Sequence, residues 1–101
     1  MREVWKYNFI GTGQHDLSLP KGSSVLNFQI QDGEFTIWVL VDTTNPIEEA
    51  DCNVWRFEIV GTGWETERRA FEYIGTAQDG PFVWHMFLVT VENARAGGFG
   101  E

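Results

Sequence analysis

The chain has few of the residues from which disulfides and metal sites are made. It contains one cysteine, Cys52, and two histidines, His15 and His85, among 101 residues. A single cysteine excludes an internal disulfide. Three widely separated His and Cys side chains are also too few for a structural zinc site within one chain. The sequence therefore predicts neither a bound metal nor a cofactor.

Basic residues are scarce as well. Seven Lys and Arg stand against fifteen Asp and Glu, for a formal net charge of −8. The densest basic point is Arg68-Arg69, which follows Glu65 and Glu67. Duplex nucleic acid is therefore not an expected partner, because affinity for the phosphate backbone needs a basic surface. The acidic excess favours solubility. The acids are scattered singly, which does not favour mimicry of a nucleic acid.

Long apolar runs are absent too. No segment approaches the ~18 consecutive apolar residues typical of a membrane-spanning helix. Residues 1–6 have no apolar signal region. We therefore expect a cytoplasmic protein that has no membrane partner.

Short apolar segments with period-two alternation make up most of the chain. Turn residues interrupt them every eight to twelve positions, which is typical of strands in a sandwich or barrel. The fold class predicted is all-β: a small antiparallel sandwich or partly open barrel of six to seven short strands. Residues 1–92 are expected to form a single β domain, and residues 93–101 a Gly-rich C-terminal tail.

Two segments show the alternation most clearly. In residues 3–10 the inward positions are Trp5, Tyr7 and Phe9, and in residues 24–31 they are Leu26, Phe28 and Ile30. Asp32-Gly33 then predicts a hairpin into the next strand. Residues 34–42 and 82–91 are apolar on both faces, so each is either covered on both sides within the fold or meets a partner subunit. The second alternative predicts a homo-oligomer.

An aromatic-rich strand leads into a Gly-Thr pair three times, at Gly11-Thr12, Gly61-Thr62 and Gly75-Thr76. One interpretation is recurrent turn chemistry, since glycine permits positive φ and threonine bonds to nearby backbone. The other is that backbone N–H groups at such turns form a concavity for an anion. No helix follows any of the three, so none is a phosphate loop or a dinucleotide fingerprint.

No arrangement of catalytic residues is visible. The serines near turns lack the context of a nucleophile, and no two carboxylates share a strand face in a setting that raises a pKa. We therefore expect no enzyme. His85 lies in an apolar strand, either as a core-edge histidine bonded to backbone or as a polar group that contacts a ligand. Trp64 lies beside a Gly-Thr turn and near two arginines, which suits base stacking and phosphate binding.

The chain resembles a family of short phage and prophage proteins that form a domain of unknown function. The resemblance spans roughly residues 4–88. It rests on Trp5-Lys6-Tyr7, Leu19-Pro20-Lys21-Gly22, Leu26, Gln29, Gln31, Gly33, Trp38, Leu40-Val41-Asp42, Arg56, Gly61-Thr62-Gly63, Tyr73-Ile74-Gly75-Thr76 and Phe82-Val83-Trp84-His85. A phage origin implies an anti-defence role, such as that of the oligomeric anti-CBASS sponges, which sequester cyclic nucleotide signals without cleaving them.

The leading functional hypothesis is accordingly a homo-oligomer that sequesters a small nucleotide immune signal in an infected bacterial host. Stacking on bases is assigned to Trp5, Tyr7 and Trp64. Phosphate neutralisation is assigned to Lys6, Arg56, Arg68 and Arg69. The Thr62 hydroxyl and the turn amides are expected to add hydrogen bonds, and His85 to contact a base edge. The alternatives are an acidic inhibitor of a host defence complex, similar to an anti-CRISPR, and a virion accessory protein. An unrecognised hydrolase would consume its ligand rather than retain it.

Overall fold

A computed structural model describes residues 1–44, 47–48, 51–65 and 72–93. These residues form seven strands. They are β1 (Arg2–Phe9), β2 (Gly13–Pro20), β3 (Ser24–Gln31), β4 (Glu34–Asp42), β5 (Cys52–Gly61), β6 (Glu72–Asp79) and β7 (Phe82–Asn93). The all-β prediction is confirmed. Most of the predicted Gly-rich tail, from residue 94 onward, lies outside the described residues.

The strands form two antiparallel sheets. One has three strands in the order β1-β4-β3, and the other has four in the order β2-β5-β7-β6. Neither sheet closes on itself, so the predicted sandwich is correct. The inner faces of the two sheets enclose one core. Its fully buried side chains include Phe28, Ile37 and Val39 from the first sheet and Leu19, Phe57, Ile59 and Met86 from the second.

Two tight hairpins have the backbone that their sequences predict. Asp32 and Gly33 connect β3 to β4 with φ values of 52° and 80°. Positive φ at both central positions is characteristic of a type I′ turn, so this hairpin prediction is confirmed. Gly80-Pro81 connects β6 to β7 with Gly80 at φ 57°, and proline fixes a negative φ at the second position.

One inward position was predicted wrongly. Leu26 is 51% exposed, because a β-bulge between Val25 and Asn27 shifts the register of β3 against β4. The bulge adds one residue, so the alternation inverts there and Val25 packs against the core instead. Past the bulge, Phe28 is fully buried and Ile30 packs against the core, as predicted.

The third Gly-Thr pair was also predicted wrongly, since it is not a turn. Gly75 and Thr76 lie inside β6, directly after a second bulge. A Cβ on Gly75 would lie 3.4 Å from the Phe28 Cβ, a close contact between β6 and β3. An added methyl group there would make ordinary van der Waals contact with Phe28, so the edge strands of the two sheets pack against each other at this point. The other two pairs lie at strand ends, at the β1–β2 connection and at the end of β5.

Both strands that are apolar on two faces occupy central positions in their sheets. In β4, Ile37 and Val39 face the core, whereas Trp38 and Leu40 lie half-buried on the outer face. In β7, Trp84, Met86 and Leu88 face the core, and Val83, His85 and Phe87 lie on the outer face. Burial within the sandwich explains one face of each strand. The homo-oligomer expected from the other face stays a prediction.

Candidate ligand-binding site

A cleft lies at the end of the sandwich where β5 ends and β7 begins. Its volume is about 410 Å³, within the range of roughly 300–1,000 Å³ typical of small-molecule sites. It is lined by Gly61, Thr62, Trp64, Pro81, Phe82, Val83 and Trp84. None of these side chains ionises, so the lining offers ring faces, one hydroxyl and backbone groups.

Two exposed aromatic rings contact Trp84 in this cleft. Trp64 is 53% exposed and meets Trp84 edge-on, with ring centroids 5.4 Å apart. Phe82 is 59% exposed and stacks against Trp84 with centroids 5.9 Å apart. Trp84 in turn contacts Phe35 at 5.5 Å. The rings at the surface are therefore anchored on rings of the core.

The Trp64 indole packs directly against Gly61. Thr62 and Gly63 turn the chain after β5, with Gly63 at φ 87°. The backbone N–H of Trp64 donates to the Gly61 carbonyl at 3.1 Å. A Cβ on Gly61 would lie 2.9 Å from Cε2 of the Trp64 indole. The ring thus lies directly over the backbone, at a distance that only glycine allows.

Gly61→Ala is expected to displace the Trp64 indole and leave the fold intact, because the added methyl group meets the end of an exposed side chain. The indole N–H resonance of Trp64, assigned by its loss in Trp64→Phe, should shift in a ¹H–¹⁵N spectrum. The melting temperature should change little. An unshifted Trp64 resonance would mean that the ring does not rest on Gly61.

A chain of polar side chains lies behind the cleft on the outer face of the four-stranded sheet. His85 bonds through Nε2 to the Thr62 hydroxyl at 2.8 Å and through Nδ1 to the Thr76 hydroxyl at 3.0 Å. The Tyr73 hydroxyl bonds to Thr76 at 2.5 Å. A threonine hydroxyl can donate or accept, so both bonds can form with either tautomer of the imidazole.

The threonines of two of the three Gly-Thr pairs therefore both bond to His85. Thr76 lies directly opposite His85 in the β6–β7 register. Of the two interpretations of His85, the one with backbone partners does not fit. Its bonds go to side-chain hydroxyls, and the residue is half-buried. Sequence reasoning did not select Thr76 or Tyr73. The common Gly-Thr pattern at Thr62 and Thr76 was the available signal.

Lys6 and Arg56 lie away from the cleft. Lys6 points outward from the three-stranded sheet and donates to Gln31 Oε1 at 3.0 Å. Arg56 lies on the outer face of the four-stranded sheet and donates twice to the Asp16 carboxylate, at 2.8 and 3.0 Å. This pairing raises the pKa of Arg56. The two cations thus lie on opposite outer faces of the sandwich and cannot share one pocket within a single chain.

Trp5 and Tyr7 belong to the core-facing side of β1. Both pack half-buried against the core, and Trp5 Nε1 donates to Glu3 Oε1 at 3.0 Å. Burial raises the pKa of Tyr7, with a further contribution from Cys52. Arg68 and Arg69 lie outside the described residues. Of the predicted site residues that the structure describes, Thr62, Trp64 and His85 come together.

Within the described residues, no three His, Cys, Asp or Glu side chains are grouped so that they could hold a metal ion. None of the described segments forms a helix that is long and apolar enough to cross a membrane.

Comparison with known families places the chain in one of them. The domain of unknown function DUF7352 matches residues 1–97. The chain belongs to this family. No curated protein and no solved structure matches the DUF7352 chain. The family membership agrees with the expected domain of unknown function and assigns no activity.

Proposed function

We propose that this DUF7352 protein is a non-catalytic binding protein that holds the base of a small nucleotide in the aromatic cleft and retains it uncleaved. The observation that carries the proposal is the pair of exposed rings, Trp64 and Phe82, that both contact Trp84 in a cleft of about 410 Å³. A flat aromatic ligand gains from such surfaces, since stacking of a base on an aromatic side chain is worth about 1–3 kcal/mol.

Thr62 gives the cleft a polar group whose orientation is fixed. Its hydroxyl bonds to His85, which itself is held by Thr76. A hydroxyl has one donor and two acceptor sites, so the bond to His85 leaves capacity for a ligand. Thr62 is exposed, so a base edge that lies against Trp64 can reach it. His85 acts in this arrangement by orienting Thr62.

The biological role that we propose for this binding rests on the resemblance to phage proteins. In that setting the ligand is a cyclic nucleotide immune signal, and its sequestration inhibits host defence in the cytoplasm of the infected bacterium. A homo-oligomer belongs to the same proposal. Its support is the outer face of β4, where the half-buried Trp38 and Leu40 lie beside the exposed Val4 and Leu26.

An acidic inhibitor of a host protein is less well supported. That alternative expects the aromatic side chains to be buried and the acids to be clustered. Trp64, Tyr73 and Phe82 are each more than half exposed, which favours an aromatic ligand.

Retention of intact ligand tests the proposal. The protein is incubated with a panel of cyclic di- and trinucleotides and linear nucleotides, free ligand is removed, the protein is denatured, and the released material is identified. Recovery of one unmodified nucleotide in stoichiometric amount is the expected result. Recovery of a cleaved product would indicate a hydrolase, and recovery of nothing from the whole panel would overturn the proposal.

A further inference from the structure

A second, smaller cleft lies at the opposite end of the sandwich. Its volume is about 230 Å³, and it is lined by Arg2, Lys21, Gly22, Ser24, Leu40 and Asp42. β4 connects the two ends, because Phe35 lies beside Trp84 and Asp42 lies at this cleft. Asp42 follows Phe35 by seven positions of extended strand, a distance of roughly 23 Å. This polar cleft is therefore distinct from the aromatic cleft.

The side chains of the two cations in this cleft donate no hydrogen bond to any residue in the described part of the chain. Of the other described basic side chains, Arg56 is paired with Asp16 and Lys6 is bonded to Gln31. The side chains of Arg2 and Lys21 form no hydrogen bond or close ion pair with any described residue, although Arg2 lies opposite Asp42 in the β1–β4 register and is attracted to its carboxylate. The chain has fifteen acidic residues against seven basic ones. Two cations beside one cleft are a local excess of positive charge in an otherwise acidic chain, and such a cleft attracts anions.

The carboxylate in the cleft is already engaged. Asp42 Oδ1 accepts from the Thr44 hydroxyl at 2.6 Å and from the Thr44 backbone N–H at 2.9 Å. These bonds lower the pKa of Asp42, with smaller contributions from the charges of the Met1 amino group and Arg2. Asp42 is thus ionised and bonded to neighbours outside the cleft lining, and the two cations outnumber it.

The turn that carries Lys21 is fixed by its own hydrogen bonds. The Lys21 N–H donates to the Asp51 carbonyl at 2.7 Å. The buried Ser23 donates to the Pro20 carbonyl from its hydroxyl at 2.6 Å and from its N–H at 3.2 Å. Gly22 adopts φ 83°, which closes the turn. The backbone beside the cleft is therefore held in place before any ligand arrives.

From this arrangement we propose that the polar cleft binds a phosphoryl group. Arg2 supplies a planar fork of N–H donors, Lys21 supplies a mobile positive charge, and the Ser24 hydroxyl supplies a further donor. A phosphoryl group carries three oxygens and up to two negative charges, which matches three donors and two cations. This site does not depend on the aromatic cleft or on its proposed ligand.

A titration with inorganic phosphate at low ionic strength, monitored by ¹H–¹⁵N spectra, tests the site. The amide resonances of Gly22 and Ser24 are expected to shift and to saturate at millimolar phosphate. Arg2→Gln and Lys21→Gln should each raise the dissociation constant for phosphate at least tenfold. Both side chains are exposed, and the melting temperature checks that the variants fold.

Lys6→Gln is the matched control, because it removes a cation from the same sheet outside the cleft. Its dissociation constant should stay within twofold of the parent value, and Trp64→Ala should have no effect. An equal loss in Lys6→Gln would show that phosphate responds only to net charge. Acetate that binds as tightly as phosphate would overturn the phosphoryl assignment, and so would the absence of any shift at Gly22 and Ser24.

Discussion

Trp64→Ala is expected to weaken binding of the retained nucleotide by roughly 5- to 150-fold. The factor corresponds to the loss of one stacking platform, about 1–3 kcal/mol per base. Trp64 is exposed and rests on Gly61 at the end of β5, so its removal deletes one wall of the aromatic cleft without opening the core. Isothermal titration calorimetry with the nucleotide identified by the retention experiment measures the change.

Trp38→Ala is the control for this substitution. Trp38 lies on the outer face of the three-stranded sheet and does not line the cleft. Its removal should leave the dissociation constant within twofold of the parent value, provided that circular dichroism shows a folded protein and sedimentation shows the parent's oligomeric state. If Trp38→Ala weakens binding and Trp64→Ala does not, the ligand lies on the other sheet and the proposed cleft is wrong.

Phe57→Ala is expected to lower the free energy of unfolding by about 3–5 kcal/mol, the usual cost of emptying a large aromatic site in a core. Phe57 is fully buried on β5. Its ring contacts Phe9 from the other sheet at a centroid distance of 5.8 Å and Trp55 at 6.1 Å. The total free energy of unfolding of a native protein is only about 5–15 kcal/mol, so this variant should be severely destabilised. Urea denaturation at equilibrium measures the change.

Phe82→Ala provides the matched comparison, because it deletes the same side chain from an exposed position. Phe82 is 59% exposed, so its removal should cost less than about 1 kcal/mol of stability. It should nevertheless weaken nucleotide binding, since the ring forms a wall of the cleft. Similar losses of stability in the two variants would contradict the assignment of Phe57 to the core and of Phe82 to the surface.

The strands and their hairpins were predictable because short-range chemistry determines them. The alternation in residues 3–10 places Trp5, Tyr7 and Phe9 against the core, and Asp32-Gly33 gives the hairpin. Leu26 was not predictable in the same way. A bulge inserts one residue into the alternation, and nothing in the residues 24–31 marks where the extra residue lies. Gly75 depends likewise on the packing of β6 against β3, a contact between distant segments.

The candidate site was predictable only in part, since a strand pattern gives the face of a residue and not its sheet. Thr62 and Trp64 were identified because a Gly-Thr-Gly turn and an unplaced tryptophan are adjacent in the sequence. Lys6 and Arg56 have similar aromatic neighbours, yet the sheet order puts them on opposite outer faces. Phe82 was counted as part of an apolar strand face, because the sequence does not show that β7 begins at the end of the sandwich where the aromatic cleft lies.

The most direct test of the central claim is the response of the tryptophan indole N–H resonances to the retained nucleotide. The chain contains five tryptophans, and each gives one such signal in a ¹H–¹⁵N spectrum. Binding in the aromatic cleft predicts large shifts for Trp64 and Trp84 and small ones for Trp5, Trp38 and Trp55. If the largest shifts belong to Trp5 or Trp38, or if no indole responds to a nucleotide that is retained, the aromatic cleft is not the binding site.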